Sequence, residues 1–153
     1  MLLSVAAVEP GLTRTLAFRG VAGPAGAATR LVAIMERDGV VFGEPELQGI
    51  LALAGEPRFP GASGDCRPVA AADGPLYAEW MLAFAREVIP HDPVPDRAEL
   101  ESSAAQSQAF FWIDEGEPVS VAQVQRLTRG MGAVSRVYTP PGRRGKGYAG
   151  AVT

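Results

Sequence analysis

Val137–Gly150 reads VYTPPGRRGKGYAG, and the fold turns on this stretch. Ala133–Thr139 has the β-branched and aromatic character of a strand. Pro140-Pro141 ends it, and Pro140–Gly147 forms a loop with glycines at 142, 145 and 147. Gly147–Thr153 then begins a helix. Glycines let a backbone turn sharply and present successive N–H groups to one point. The helix start adds partial positive charge, and Arg143, Arg144 and Lys146 add whole charges. A strand, a glycine-rich basic loop and a helix in that order suit a phosphate or pyrophosphate.

Upstream of the loop the pattern is clear. Cys66–Val69 reads as a short strand. Asp73 is a plausible N-cap with Pro75 in the first turn. Leu76, Tyr77, Trp80, Met81, Phe84 and Val88 follow as an apolar helical stripe. Pro90, Pro93 and Pro95 break the chain, and Asp96 with Glu99 resembles a capping box for a second helix to about Ser107. Ala109–Asp114 is an aromatic-rich strand, Glu115-Gly116 turns it, and Pro118–Arg126 returns. Arg129–Met131 is a short loop before the strand that feeds Pro140. The order is β-α-α-β-β-β-loop-α. Trp80, Phe84, Phe110, Phe111 and Trp112 read as core. Cys66 reads as a small buried apolar residue, and His91 as a loop residue. Glu115 and Glu117 read as a solvated turn.

Farther out, Glu56–Asp65 (EPRFPGASGD) has the composition of a linker. It divides the chain into residues 1–62 and 63–153. In the first part, Pro24 suits a first helical turn, and Ala27, Leu31, Ile34 and Met35 fall at helical spacing. Asp38-Gly39 either stops that helix or turns a hairpin; the spacing favours the helix. Gly11–Arg19 is a weaker helix, and Leu47–Leu53 a strand.

Composition bounds the alternatives. The 153 residues carry 47% hydrophobic and 20% charged residues, as an ordinary globular chain does. Gly 18 and Pro 13 predict many turns. One cysteine excludes an internal disulfide, and one histidine a multi-histidine metal site within the chain. No metal site is predicted. No apolar run approaches the ~18 residues that cross a membrane. Met1–Val8 is apolar but short, with no positive residue before it. It reads as part of the fold rather than a signal peptide, which predicts a cytoplasmic protein with no membrane partner. Net charge is −3, and basic residues do not interleave with aromatics, so nucleic acid is not an expected partner. The charge is uneven, however. Residues 66–125 hold three basic and ten acidic groups, and residues 126–153 hold six basic and no acidic ones.

Three loop types compete for Gly142–Gly150. A P-loop needs four residues between its first glycine and the Gly-Lys pair, then Ser or Thr. Here two residues separate Gly142 from Gly145, and Gly147 follows Lys146, so that reading fails. The dinucleotide pattern G-x-G-x-x-G is present as Gly145, Gly147 and Gly150. Five residues separate it from the strand, though, and the acidic residue expected ~20 positions later lies beyond the end of the chain. The third type fits best. Arg144-Gly145-Lys146-Gly147-Tyr148-Ala149 resembles R/Q-x-x-G-x-G/A, the acyl-CoA pyrophosphate motif of the GNAT superfamily of N-acetyltransferases. Val137–Pro141 is similar to that family's fourth strand and its exit. Cys66–Val69, the helix around Glu79-Trp80 and the Asp114–Pro118 hairpin resemble its opening elements. The resemblance covers Cys66–Thr153, and residues 1–65 faintly resemble the degenerate N-terminal half of some larger bacterial members.

That resemblance implies an α/β protein of α+β, GNAT-like type. Its sheet is mixed and mainly antiparallel, with flanking helices, and incomplete at the C-terminus. It implies transfer of an acetyl group from acetyl-CoA, a co-substrate, to a small-molecule or peptide amine. Val137, Tyr138 and Thr139 would pair their backbone with the pantetheine arm, and an N–H there would polarise the thioester carbonyl. The N–H groups from Arg144 through Gly145, Lys146, Gly147 and Tyr148 to Ala149, with Gly150 beside them, would cradle the pyrophosphate. Arg143, Arg144 or Lys146 would reach outer phosphates. The chain ends six residues after Gly147, before the family's later strands and the tyrosine that serves as its acid, and no general base is identifiable. The resemblance is thus to the first half of a catalytic domain, and a second chain or a domain-swapped dimer is expected to complete the sheet. The alternative is a truncated or degenerate relative that binds CoA, or only associates, without turnover.

Overall fold

The structure, a computed structural model, describes residues 2–6, 20–49, 53, 55–56, 61–90, 92–128 and 131–153; residues 2–6, 46, 48, 126–128 and 131 are described as backbone. The chain divides into two compact units, Met1–Pro57 and Arg58–Thr153. The expected Gly11–Arg19 helix and His91 lie outside the described residues, as do parts of the Leu47–Leu53 strand and of the Glu56–Asp65 linker.

In the first unit, β1 (Leu2–Ala6) lies between β2 (Gly20–Pro24) and β3 (Glu46–Gln48), antiparallel to both. The helix α1 (Ala25–Arg37) starts directly after Pro24 and stops at Asp38-Gly39, where Gly39 has φ +86°. Its buried line is not the expected one. Ala28 is buried, with Val21, Ala25, Val32 and Phe42 packed on it, whereas Leu31 and Ile34 are exposed. Small residues let the helix sit close to its neighbours, so they, and not the bulkiest side chains, set which face turns inward.

The second unit holds β4 (Asp65–Pro68), α2 (Gly74–Val88), α3 (Arg97–Ser103), β5 (Ala109–Asp114), β6 (Glu117–Thr128), β7 (Met131–Tyr138) and α4 (Tyr148–Val152). The strands form an antiparallel sheet in the order β4-β5-β6-β7. The mixed α/β class with a mainly antiparallel sheet and helices holds. The β-α-α-β-β-β-loop-α order is as the sequence predicts, with boundaries shifted by a residue or two except at the end of α3.

Burial explains the elements. Along β5, Ala109 and Phe111 are buried while Phe110 and Trp112 are half-buried. That period of two belongs to a strand with one face on a core. The core gathers Tyr77, Trp80 and Met81 of α2, Leu100 of α3, Phe111, Val121 and Tyr138. Trp80 meets Phe111 edge-on, with centroids 5.2 Å apart. Val88, expected in the stripe, is exposed, and Ala78, Leu82 and Ala85 are buried instead. The apolar face of α2 is rotated toward its alanines.

Two local expectations change. Asp73 precedes α2 but makes no cap hydrogen bond from its side chain. Its carboxylate accepts the Ala70 N–H at 2.8 Å and a forked pair from Arg67 at 2.6 and 2.9 Å. A planar guanidinium matches a carboxylate better than one N–H does, so Asp73 ties β4 to the turn before the helix. Cys66 is exposed rather than buried. It sits on an edge strand whose alternation turns its neighbour Arg67, not Cys66, toward Phe111, with the guanidinium 5.6 Å from that ring. Asp96 does cap α3, accepting the Glu99 N–H at 2.9 Å, but the α-helix stops at Ser103 and a 3-10 turn, Ala104–Gln106, replaces its expected last turn.

Bulges shape the sheet. Glu115 and Gly116, with φ +51° and +81°, form the two-residue turn between β5 and β6. Positive φ at both positions matches the twist of the flanking strands. On β7, Tyr138 faces Val121 and Ser135 faces Gln123, so three steps of β7 span two of β6. The extra residue falls at Arg136–Val137, and Arg136 has φ +47°. Among the described residues, the other side of β7 has no strand partner.

Candidate functional site: the glycine loop at the end of β7

After β7 the chain passes Thr139 and Pro140, makes one 3-10 turn over Pro141–Arg143, and reaches α4 through Arg144–Gly147. The turn uses two N–H groups: Arg143 donates to the Pro140 carbonyl at 2.9 Å and Arg144 to Pro141 at 3.3 Å. Beyond it, Gly145 and Gly147 have φ +80° and +82°. Side chains rarely tolerate that region, which accounts for glycine at both positions. Among the described residues, no acceptor reaches the N–H groups of Gly145, Lys146 and Gly147, and no side chain caps α4.

A cleft of about 320 Å³ opens here. Val137, Tyr138 and Thr139 form one wall, and Arg143, Arg144, Gly145, Gly147, Tyr148 and Ala149 another. Nine of the eleven expected cofactor-binding residues therefore border one cavity. Lys146 and Gly150 do not line it. Glu87 and Val88 at the end of α2 close it, and sequence reasoning assigned neither a place there.

The roles within the set differ. The Tyr138 side chain is buried, 6.4 Å from Trp80 between centroids, so it belongs to the core. Its carbonyl accepts a hydrogen bond from the fully buried Ser120 hydroxyl at 3.1 Å, and Ser120 Oγ lies 2.8 Å from Thr139 Oγ1. That pair fixes the point where β7 leaves the sheet. Arg144 is heavily engaged. Its Nε donates to the Thr139 carbonyl at 2.8 Å, its Nη2 donates to Glu87 at 2.7 Å, and it lies 5.8 Å from the Tyr138 ring centroid. Arg143 and Lys146 are exposed and have no ion pair among the described residues. The Lys146 ammonium stands 6.0 Å from the Tyr148 ring centroid.

Two carboxylates border the loop. Arg144 beside Glu87 holds that carboxyl below its ordinary range. The Tyr148 hydroxyl donates to Asp114, the last residue of β5, and buries the Tyr148 ring beside the hairpin. That bond, helped by Ser63 and then by the Lys146 and Arg143 charges, lowers the Asp114 carboxyl. In return Asp114 pushes the Tyr148 hydroxyl up. Sequence reasoning missed Glu87, Asp114 and Ser120. Glu87 lies 57 positions from Arg144 and Asp114 lies 34 from Tyr148, and no local spacing signals such pairs. Only the excess of acidic groups upstream of a basic C-terminal stretch hinted at them.

Glu115 and Glu117 are exposed, as a solvated turn predicts. Among the described residues, no three His, Cys, Asp or Glu side chains gather as metal ligands, and no helix is long and apolar enough to cross a membrane. No protein-family model matches the chain, and it has no detectable match among curated proteins or solved structures.

Proposed function

We propose that the 63–153 segment is the acyl-CoA-binding part of a GNAT-like N-acyltransferase, with acetyl-CoA as co-substrate and an amine as acceptor. One observation carries the reading. The R-x-x-G-x-G/A residues fold into a loop with unpaired backbone N–H groups, and that loop shares a cleft with the free side of a bulged strand. Unpaired N–H groups around two left-handed glycines suit a pyrophosphate. Arg143 and Lys146 add positive charge without adding geometric demands. The free side of β7 suits an amide-containing arm, which pairs with an exposed strand edge as a further strand. A bulge leaves one residue out of the ladder, so a backbone group near Arg136–Val137 is available to a thioester carbonyl. The cleft is at the small end of the range for ligand pockets, ~300–1,000 Å³, so it suits the pyrophosphate and the start of the arm.

The chemistry would be direct transfer. The amine nitrogen attacks the thioester carbon, the C–N bond forms, the C–S bond breaks, and the thiolate takes up a proton as the nitrogen loses one. An N–H aimed at the carbonyl oxygen would stabilise the charge that develops there. A cytoplasmic location, and a second chain that completes the sheet beside β7, belong to the same reading.

A second reading, CoA binding without turnover, is favoured by the state of the two acids nearest the loop. Glu87 is committed to Arg144 and Asp114 to Tyr148, and both carboxyls are held low. A general base works best with a pKa near the operating pH, so neither suits the task. Calorimetric titration with acetyl-CoA, followed by thiol release across an amine panel, separates the readings. Saturable binding with thiol release supports the transferase. Binding with silence across the panel supports the second reading. A folded chain that binds no acetyl-CoA refutes both.

A further inference from the structure

Arg144 is the basic residue of the loop whose side chain is held by three other parts of the unit. Glu87 reaches it from the last turn of α2, Thr139 from the exit of β7, and Tyr138 from the core. The contacts bridge a helix, a strand and the loop. A guanidinium that gives Nε to a carbonyl, Nη2 to a carboxylate and its face to a ring is held in one orientation with two of its five N–H groups engaged. Arg143 and Lys146 carry their charge without such commitments.

We infer that Glu87 is a positioning residue for the loop: through Arg144 it holds Thr139–Gly145 in the form that leaves the following N–H groups open, while Arg143 and Lys146 supply the charge that meets phosphate. The ligand named here rests on the acyl-CoA reading, whereas the clamp is a property of the free chain. The opposing assignment makes Arg144 a phosphate ligand, with Glu87 competing against the phosphate. The two assignments predict opposite signs. Removing the Glu87 carboxylate by charge alone favours an anion, so weaker binding on its removal identifies the clamp. A lysine keeps the charge of Arg144 but not its fork, so it fails as a clamp and serves as a phosphate contact.

The test uses Glu87→Gln, Arg144→Lys and the double variant, each checked for folding by thermal melting. Acetyl-CoA affinity is measured over a range of salt. The clamp predicts that each single variant binds several-fold more weakly and that the double is no weaker than either single, because both break one unit. It also predicts an unchanged salt dependence. The clamp is overturned if Glu87→Gln binds more tightly, if Arg144→Lys binds as the parent does, or if the two losses add. A second arm needs no ligand: trypsin cleavage after Arg143 and Lys146 in the parent and in Glu87→Gln. Several-fold faster cleavage in the variant, at equal thermal stability, supports the clamp through local opening of the loop. Equal rates overturn it. If the parent binds no acetyl-CoA, the acyl-CoA reading fails, and the trypsin arm alone decides the clamp.

Discussion

Gly145 offers the sharpest perturbation of the proposed site, because its surroundings separate charge from shape. It has φ +80°, and a Cβ built on it meets no atom within 4 Å. A side chain there is strained by the backbone but not crowded. Asn and Asp tolerate left-handed φ better than other side chains and have nearly the same shape. Gly145→Asn therefore measures the strain, and the difference between Gly145→Asp and Gly145→Asn measures one negative charge beside the N–H groups. Two unit charges ~4 Å apart interact by ~1 kcal/mol in water, and more where solvent is excluded. A pyrophosphate carrying two nearby charges then opposes the carboxylate by ~2 kcal/mol, roughly thirtyfold in affinity. Calorimetric titration of the two variants with acetyl-CoA at low salt should show that gap. Raising the salt toward ~1 M, where the screening length falls to ~3 Å, should narrow it. If the Asp and Asn variants bind equally, the phosphates do not sit at this loop and the proposed site is wrong.

Three further outcomes follow from contacts elsewhere in the unit. A Cβ on Gly74 would lie 2.7 Å from the Glu101 carbonyl oxygen, a backbone atom that cannot move alone; Gly74→Ala should cost ~1–3 kcal/mol by overpacking. That outweighs the ~1 kcal/mol by which alanine favours a helix interior. The melting temperature should fall, and an unchanged or higher value contradicts the close approach of α2 and α3. The Asp73 carboxyl is held below its unfolded value of about 3.9, first by the Arg67 hydrogen bond and then by the Ala70 N–H. A lowered folded pKa contributes stability that is present above the unfolded value and is lost as pH falls through the folded one. Melts of the parent and of Asp73→Asn between neutral and acid pH should differ most near neutrality and converge on acidification. A gap independent of pH excludes the ion pair as its source. Finally, Asp114 raises the Tyr148 hydroxyl, so Asp114→Asn should lower the pH at which Tyr148 ionises, read by ultraviolet difference titration. No shift means that the bond does not form in solution.

How far the sequence disclosed this structure depends on the range of the interaction. Ala109–Asp114 was legible to the residue because alternation and a two-residue turn are local signals. The glycine loop was legible because left-handed backbone demands glycine at 145 and 147, wherever the rest of the chain lies. The inward face of α2 was less legible. Spacing identified the helix, but its tilt against α3 and the sheet decided that Ala78 and Ala85, not Val88, are buried. Asp73 read as a cap because cap and ion pair use the same short acid, and only the position of Arg67 across the turn distinguishes them. The acids that border the loop were not legible. Their pairing joins residues distant in sequence, through contacts that exist only after the sheet has formed.

The extra residue in β7 also limits how this stretch can change length. Side chains alternate along a strand, so a one-residue slip moves every later one to the opposite face. The register on the two sides of Arg136–Val137 differs by one step, and the segment that reaches the cleft depends on that step. Deleting a residue at the bulge would leave a ladder that is, if anything, more regular. It would also keep Ser135 opposite Gln123 and Tyr138 opposite Val121, because the residue removed is the one those pairings pass over. What the deletion would take away is the backbone group that the bulge leaves out of the ladder. A single-residue loss elsewhere in β7 is different: it turns the side chains on one side of it to the opposite face unless the bulge takes up the change, so the irregular step is also the strand's reserve of length.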